Sequence, residues 1–182
     1  MHAVRKLSTR NWEHQRQDDR YTVQLARGGK PLAGIQSDRI SVVEEEVMRW
    51  ENANHIHGWF VDNVQGKHDG GSHRVPLEKL RLLLEVCEKV LDSAQLVRAK
   101  VFSASEYGAI RQRMESQGVP TMEIKNVSIA HKLLPTRSWD YTGANQYDGA
   151  YLKAVETTRD WAEKMLIDYE NGLPGDIYYS SN

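Results

Sequence analysis

Trp50, Asn54 and His57 are separated by four and three residues, the spacing that stacks side chains along one side of an α-helix. An indole can stack on a flat ligand, a carboxamide both donates and accepts hydrogen bonds, and an imidazole changes charge near neutral pH. At about 100° per residue, Val43, Val61 and Val64 share the face of Trp50, with Glu46, Asn54 and His57 within about 40° of it. Polar groups on an apolar face are costly to bury without partners, so each needs one from the protein, from water or from a ligand. Internal satisfaction and a ligand pocket both stay open at this point. Trp59 falls on the opposite side of the same helix and needs a cover, either from this domain or from a second subunit.

A second group of candidates lies in Leu133-Leu134-Pro135-Thr136-Arg137-Ser138-Trp139-Asp140-Tyr141-Thr142-Gly143. Hydroxyls and a guanidinium bind phosphate or carboxylate oxygens, and aromatic rings stack on bases, so Thr136, Arg137, Ser138 and Tyr141 can form a ligand wall. Lys67 or Arg74 adds charge if the loops converge. Metal chemistry is disfavoured. His55 and His57 point about 200° apart on a helix, and the His68, Asp69 and His73 loop reads as solvated rather than as a cation site. Glu46 and His57 are about 16 Å apart along a helix, too far for a direct acid–base pair. The chain has no G-x-S-x-G, H-E-x-x-H, C-x-x-C or P-loop signature.

These residues need elements to position them. Ser41-Val42-Val43-Glu44 reads as a capping box and predicts a long amphipathic helix over 41–65 that stops at Gly66. Tyr21–Leu25 and Pro31–Ile35 read as hairpin strands around Arg27-Gly28-Gly29-Lys30. Pro76 opens a core helix carrying Leu77, Leu80, Leu83, Leu84, Cys87, Val90 and Leu91 at helical spacing. A more polar helix is expected over 104–117, a strand over 122–127, and a last helix over 147–170 ending at Asn171-Gly172.

With 24 basic and 25 acidic residues the formal charge is -1, which gives no bulk attraction to polymeric nucleic acid or an anionic membrane. A lone Cys87 within a helical apolar pattern reads as a buried thiol in a reducing compartment. No apolar run approaches the ~20 residues that span a bilayer, and the N-terminus lacks a signal-peptide run.

The run Trp50-x-x-Ala53-Asn54-x-Ile56-His57-x-Trp59-Phe60, then Val64-Gln65 and a Leu-rich helix, leads later to Leu133-Leu134-Pro135-Thr136-x-Ser138 and Tyr147-Asp148-x-x-Tyr151-Leu152. This pattern is similar to a family of small phage and prophage proteins of uncharacterised function. The likeness covers most of the chain outside 96–131, which looks like an insertion. That family follows the Pro-Thr-x-Ser element with a Gly- and Phe-rich stretch, where this chain has Trp139-Asp140-Tyr141-Thr142-Gly143. The resemblance implies the cytoplasm of a bacterial host and supplies no mechanism.

Together these readings predict a single α+β domain over 1–182, an N-terminal β-hairpin or small antiparallel sheet packed with three to four α-helices, with a mobile tail over 173–182. The expected function is non-enzymatic binding of a small anionic, nucleotide-like ligand, of use in sequestering a host immune-signalling nucleotide. Trp50, Asn54, His57, Trp59, Lys67, Thr136, Arg137, Ser138 and Tyr141 would hold it, with no metal, cofactor, polymeric nucleic acid or membrane, and with homo-oligomerisation left open. The alternatives are a nucleotide hydrolase using His57 as general acid or base, with a carboxylate from Glu46 or Asp140, and an inhibitor that binds a host protein.

Overall fold

The computed structural model describes residues 1–32, 34–98, 122–137 and 146–181. Four strands make the main sheet, in the order β4-β1-β8-β5, all antiparallel. They are β1 (His2–Ser8), β4 (Val42–Arg49), β5 (Ser72–Arg74) and β8 (Asp176–Ser180). Four helices accompany them among the described residues: α1 (Asn54–Phe60), α2 (Leu77–Ser93), α3 (Ser128–Leu133) and α4 (Gly149–Glu170). The α+β class expected from the sequence is the one found.

The long helix over 41–65 is not. Residues 42–49 form β4, and helix begins only at Asn54. Two observations account for the strand. Val42 and Val43 are β-branched and suit extended backbone, and the acids of β4 meet the bases of β1, with Lys6 Nζ 2.7 Å from Glu44 and Arg5 3.7 Å from Glu45. Cross-strand pairing of opposite charge thus competes successfully with the local capping signal. Asn52, at φ 53°, turns the chain from strand to helix, a left-handed conformation that Asn tolerates better than most residues. Glu46 therefore lies on the sheet, paired with Arg49, and not on a face shared with His57.

The C-terminal segment is the second correction. Where a mobile tail was expected, Asp176–Ser180 is an inner strand hydrogen-bonded to β1 on one side and β5 on the other. Its Tyr179 is fully buried. Gly175, at φ 117°, makes this insertion possible, because a Cβ there would lie 2.9 Å from Arg5 Cγ and 3.1 Å from the Lys6 carbonyl oxygen.

The remaining elements follow their patterns more closely. Pro76 precedes α2, which buries Leu80, Leu83, Val86, Cys87 and Val90. Burial pushes the Cys87 thiol up to about 12, as a structural, unreactive cysteine requires. Asp148 caps α4, its side chain accepting from the Tyr151 amide, and α4 buries Tyr151, Val155, Thr158, Trp161, Ala162, Met165 and Leu166. The chain turns at the predicted Gly28-Gly29, but the paired strands are β2 (Ala26–Arg27) and β3 (Lys30–Pro31), two residues each, so that Tyr21–Leu25 is not a strand and only Pro31 of the expected return strand is paired. This turn belongs to a 9–41 arm from which no apolar side chain among the described residues joins the core. β6 (Leu96–Arg98) pairs with β7 (Met122–Ile124), matching the start of the strand expected over 122–127. The helix expected over 104–117 lies outside the described residues. No helix among the described residues is long and apolar enough to cross a membrane.

α1 is the centre of the molecule. His55, Ile56, His57, Gly58, Trp59 and Phe60 are all buried, the signature of a helix enclosed on every side. Phe60 stacks on Tyr179 at 3.9 Å, and Trp50 contacts Phe60, Trp161 and Tyr179 with centroids 5.1–5.9 Å away.

Candidate functional site

α1 continues without a break into a π-helical turn, Val61–Gln65, closed by Gly66 at φ 77°. Such turns are rare and concentrate at functional sites. The chain then folds back through Lys67–Gly71. Asp69 shapes this loop, accepting from the Gly71 amide at 2.9 Å and pairing with His73 Nε2 at 2.8 Å. The result places His68 over His57, with His57 Nε2 2.9 Å from His68 Nδ1. On its other side His57 Nδ1 lies 2.6 Å from the Tyr179 hydroxyl.

Arg137 arrives from the segment after α3. Its guanidinium grips Asp62 with both terminal nitrogens, Nη1 donating at 2.9 Å to Oδ1 and Nη2 donating to Oδ2. Those donated bonds hold the Asp62 carboxyl below its usual range. The Arg137 side chain crosses α1 at Gly58, where a Cβ would stand 2.9 Å from Arg137 Cδ and 3.0 Å from Nε. Glycine is needed there for close approach rather than for its backbone angles. Arg137 is near enough to His57 for its charge to act on the imidazole. Burial first, then His68, the N-terminal ammonium and Arg137, lower the His57 pKa to about 4, so His57 is neutral at pH 7.

The sequence-predicted residues divide sharply. The structure brings His57 and Arg137 together, with Thr136 preceding Arg137 and the exposed Lys67 preceding His68. Thr136 is half-buried, and its amide donates to the Tyr147 hydroxyl at 3.3 Å. Trp50 and Trp59 are corrections. Trp50 is 4% exposed, with its indole N–H donating to Thr158 Oγ1 at 2.8 Å, and Trp59 is 6% exposed, edge-on to Phe60. Both are core, and Trp59 is covered within this domain. Only a sliver of Trp50 meets a shallow groove of about 250 Å³ between β4 and α4. Asn54 opens α1, half-buried, with no side-chain hydrogen bond among the described residues. Ser138 and Tyr141, with Asp140, lie outside the described residues.

Three participants escaped the sequence reading. His68 was weighed only as a metal ligand, yet it turns to His57 while His73 turns to Asp69. No group of three metal-ligating side chains occurs among the described residues. Asp62 carried a signal, since it is four residues after Gly58 and thus on the same helical side. Tyr179 carried none while the tail was taken as mobile. The wider groove of about 780 Å³ lies elsewhere, between Leu7, Val42, Tyr169, Leu173 and Tyr178, and holds none of the predicted site residues. The site is placed by its chemistry rather than by volume. Compared with family models, curated proteins and solved structures, the chain matches none.

Proposed function

We propose that this protein binds a small anionic, nucleotide-like ligand, without turning it over, at the edge formed by His68, Lys67, Thr136 and Arg137. The observation that carries the proposal is Arg137 laid across Gly58 next to the His57–His68 pair. Guanidinium and imidazole N–H groups are the donors that phosphate and carboxylate oxygens select. Asp62 grips the two terminal nitrogens of Arg137 and orients the guanidinium along α1. Stacking by Trp50 or Trp59 is not part of the proposal, because both rings are enclosed.

Binding is favoured over hydrolysis by the state of His57. Both ring nitrogens are engaged and the side chain is almost fully buried, whereas a general base must reach the proton it removes. Glu46, the carboxylate first paired with it, is committed to Arg49 on the sheet. Sequestration of a signalling nucleotide is the use we assign to such a non-hydrolysing site in a phage-type protein. Native mass spectrometry after incubation with a nucleotide pool tests this. A bound mass that is released unaltered on denaturation is the expected result; turnover of the pool, or no bound mass, refutes it. The same spectrum counts subunits. Exposed Trp12, Leu25, Leu32 and Ile35 on the 9–41 arm favour more than one.

A further inference from the structure

Two apolar surfaces of this chain lie bare. On the 9–41 arm Trp12, Tyr21, Leu25, Leu32 and Ile35 are exposed, and none joins the core. The wide groove between Leu7, Val42, Tyr169, Leu173 and Tyr178 is open as well, with Val42, Tyr169 and Leu173 49%, 53% and 46% exposed. A smaller pocket shares Tyr169, Leu173 and Gly175 with it and reaches the buried Leu80, so a side chain entering there meets the core. The arm springs from the rim of this groove, after Ser8 and before Val42, yet leaves it open. Its root is closed. Thr9 is buried, its amide donating to the Ser41 carbonyl at 3.0 Å and its hydroxyl to the Ile40 carbonyl at 2.7 Å. The arm can therefore seat away from its own body without unzipping β1 from β4. Exposed apolar surface on this scale marks an interface.

We infer that two copies of this chain dimerise by exchanging arms, the apolar side chains of each 9–41 arm seated in the groove of the other copy. Each chain carries one arm and one groove, so the exchange is reciprocal and closes at two copies. Both features of each copy contribute to the roughly 800 Å² per partner that a stable dimer buries. Charge favours the same arrangement. Residues 9–41 carry six basic and four acidic side chains, whereas the rest of the chain carries 18 and 21. Beside the groove, Glu44 and Glu45 follow Val42-Val43 and Glu170 follows Tyr169, all exposed. A net-positive segment thus meets a net-negative body. Direct pairing of the β4 edges, the other route to a dimer, is opposed by charge. Aligning the full strands antiparallel brings the Glu44–Glu46 runs of the two copies together, and like charges across a strand pair destabilise it. The inference does not rest on the anion-binding reading.

Sedimentation velocity and native mass spectrometry of the full chain, with no nucleotide added, test this. Wild type is expected as a dimer at about 20 μM; a monomer, as when the arm folds into its own groove, overturns the inference. Two variants place charge in the apolar seat: Leu25→Asp with Ile35→Asp on the arm, and Leu173→Glu in the groove. Each should weaken association at least about tenfold. All three positions are exposed, so both proteins should keep the wild-type circular dichroism spectrum. A dimer that either variant retains at full strength overturns the inference. Mixing the two variants decides between modes of pairing. The intact arm of the Leu173→Glu copy can enter the intact groove of the arm variant, so a heterodimer should form about tenfold more tightly than either homodimer. An interface of arm on arm, or groove on groove, gives no such rescue, and its absence overturns the exchange.

Discussion

His55 and His57 leave the same short helix on opposite flanks, and the two flanks treat a buried imidazole differently. His55 lies against the Tyr151 ring at 4.1 Å. The Tyr151 hydroxyl is spent on the Leu134 carbonyl, and His55 Nε2 has no hydrogen-bond partner among the described residues. His57 lies between Tyr179 and His68, in a line of bonds that runs from the core to an exposed loop. Burial lowers both pKa values, to about 3 for His55 and about 4 for His57. Burial alone therefore does not mark a site; continuity of hydrogen bonding to the surface does.

Acid should have the largest effect on this pair. Both folded-state pKa values lie below the ordinary histidine value of 6.5, so between pH 6.5 and about 4 the unfolded chain binds more protons than the folded one. Stability is then complete above about pH 6.5 and falls as pH drops, by about 3 kcal/mol from His57 alone at pH 4. Urea denaturation at pH 7 and pH 4.5 reads this directly, and a flat profile would contradict neutral burial of either ring. His55→Phe should make the profile shallower.

The variants separate the flanks at constant pH. His57→Phe leaves the Tyr179 hydroxyl without an acceptor and should cost about 2 kcal/mol, of which adding Tyr179→Phe recovers about 1 kcal/mol. His55→Phe removes an orphaned nitrogen and should be neutral or stabilising by about 1 kcal/mol. Equal costs at the two positions, measured by chemical denaturation, would erase the distinction. The smallest stability effect is expected at Gly58. The nearest atoms to the methyl of Gly58→Ala belong to the movable side chain of Arg137, and the change gains helix propensity of up to about 1 kcal/mol, so the melting temperature should be little changed. Displacing Arg137 should nonetheless weaken nucleotide binding about tenfold.

What the sequence made legible follows from how local each signal was. α2 and α4 were readable because Pro76, the Asn171-Gly172 stop and the apolar spacing act within a few turns. β4 was not, because its strand state depends on Arg5 and Lys6, roughly forty residues earlier. The same holds for β8, whose Asp176-Ile177-Tyr178-Tyr179-Ser180 run becomes a strand by slotting between β1 and β5. At the site, His57 and Arg137 were identifiable by type, but the partners that give them meaning were not. Tyr179 is 122 residues from His57 and Asp62 is 75 from Arg137. The tryptophans misled for a related reason: a helical wheel drawn through a segment that is half strand assigns faces that do not exist.

The central claim is that one flank of α1 presents anion donors organised around Arg137 while the other is closed core. Calorimetric titration of adenosine monophosphate into wild type, Arg137→Ala and His55→Phe tests it most directly. Affinity should fall at least about tenfold in Arg137→Ala and remain at the wild-type value in His55→Phe. Identical affinities in all three proteins, or no heat in any, would contradict the account.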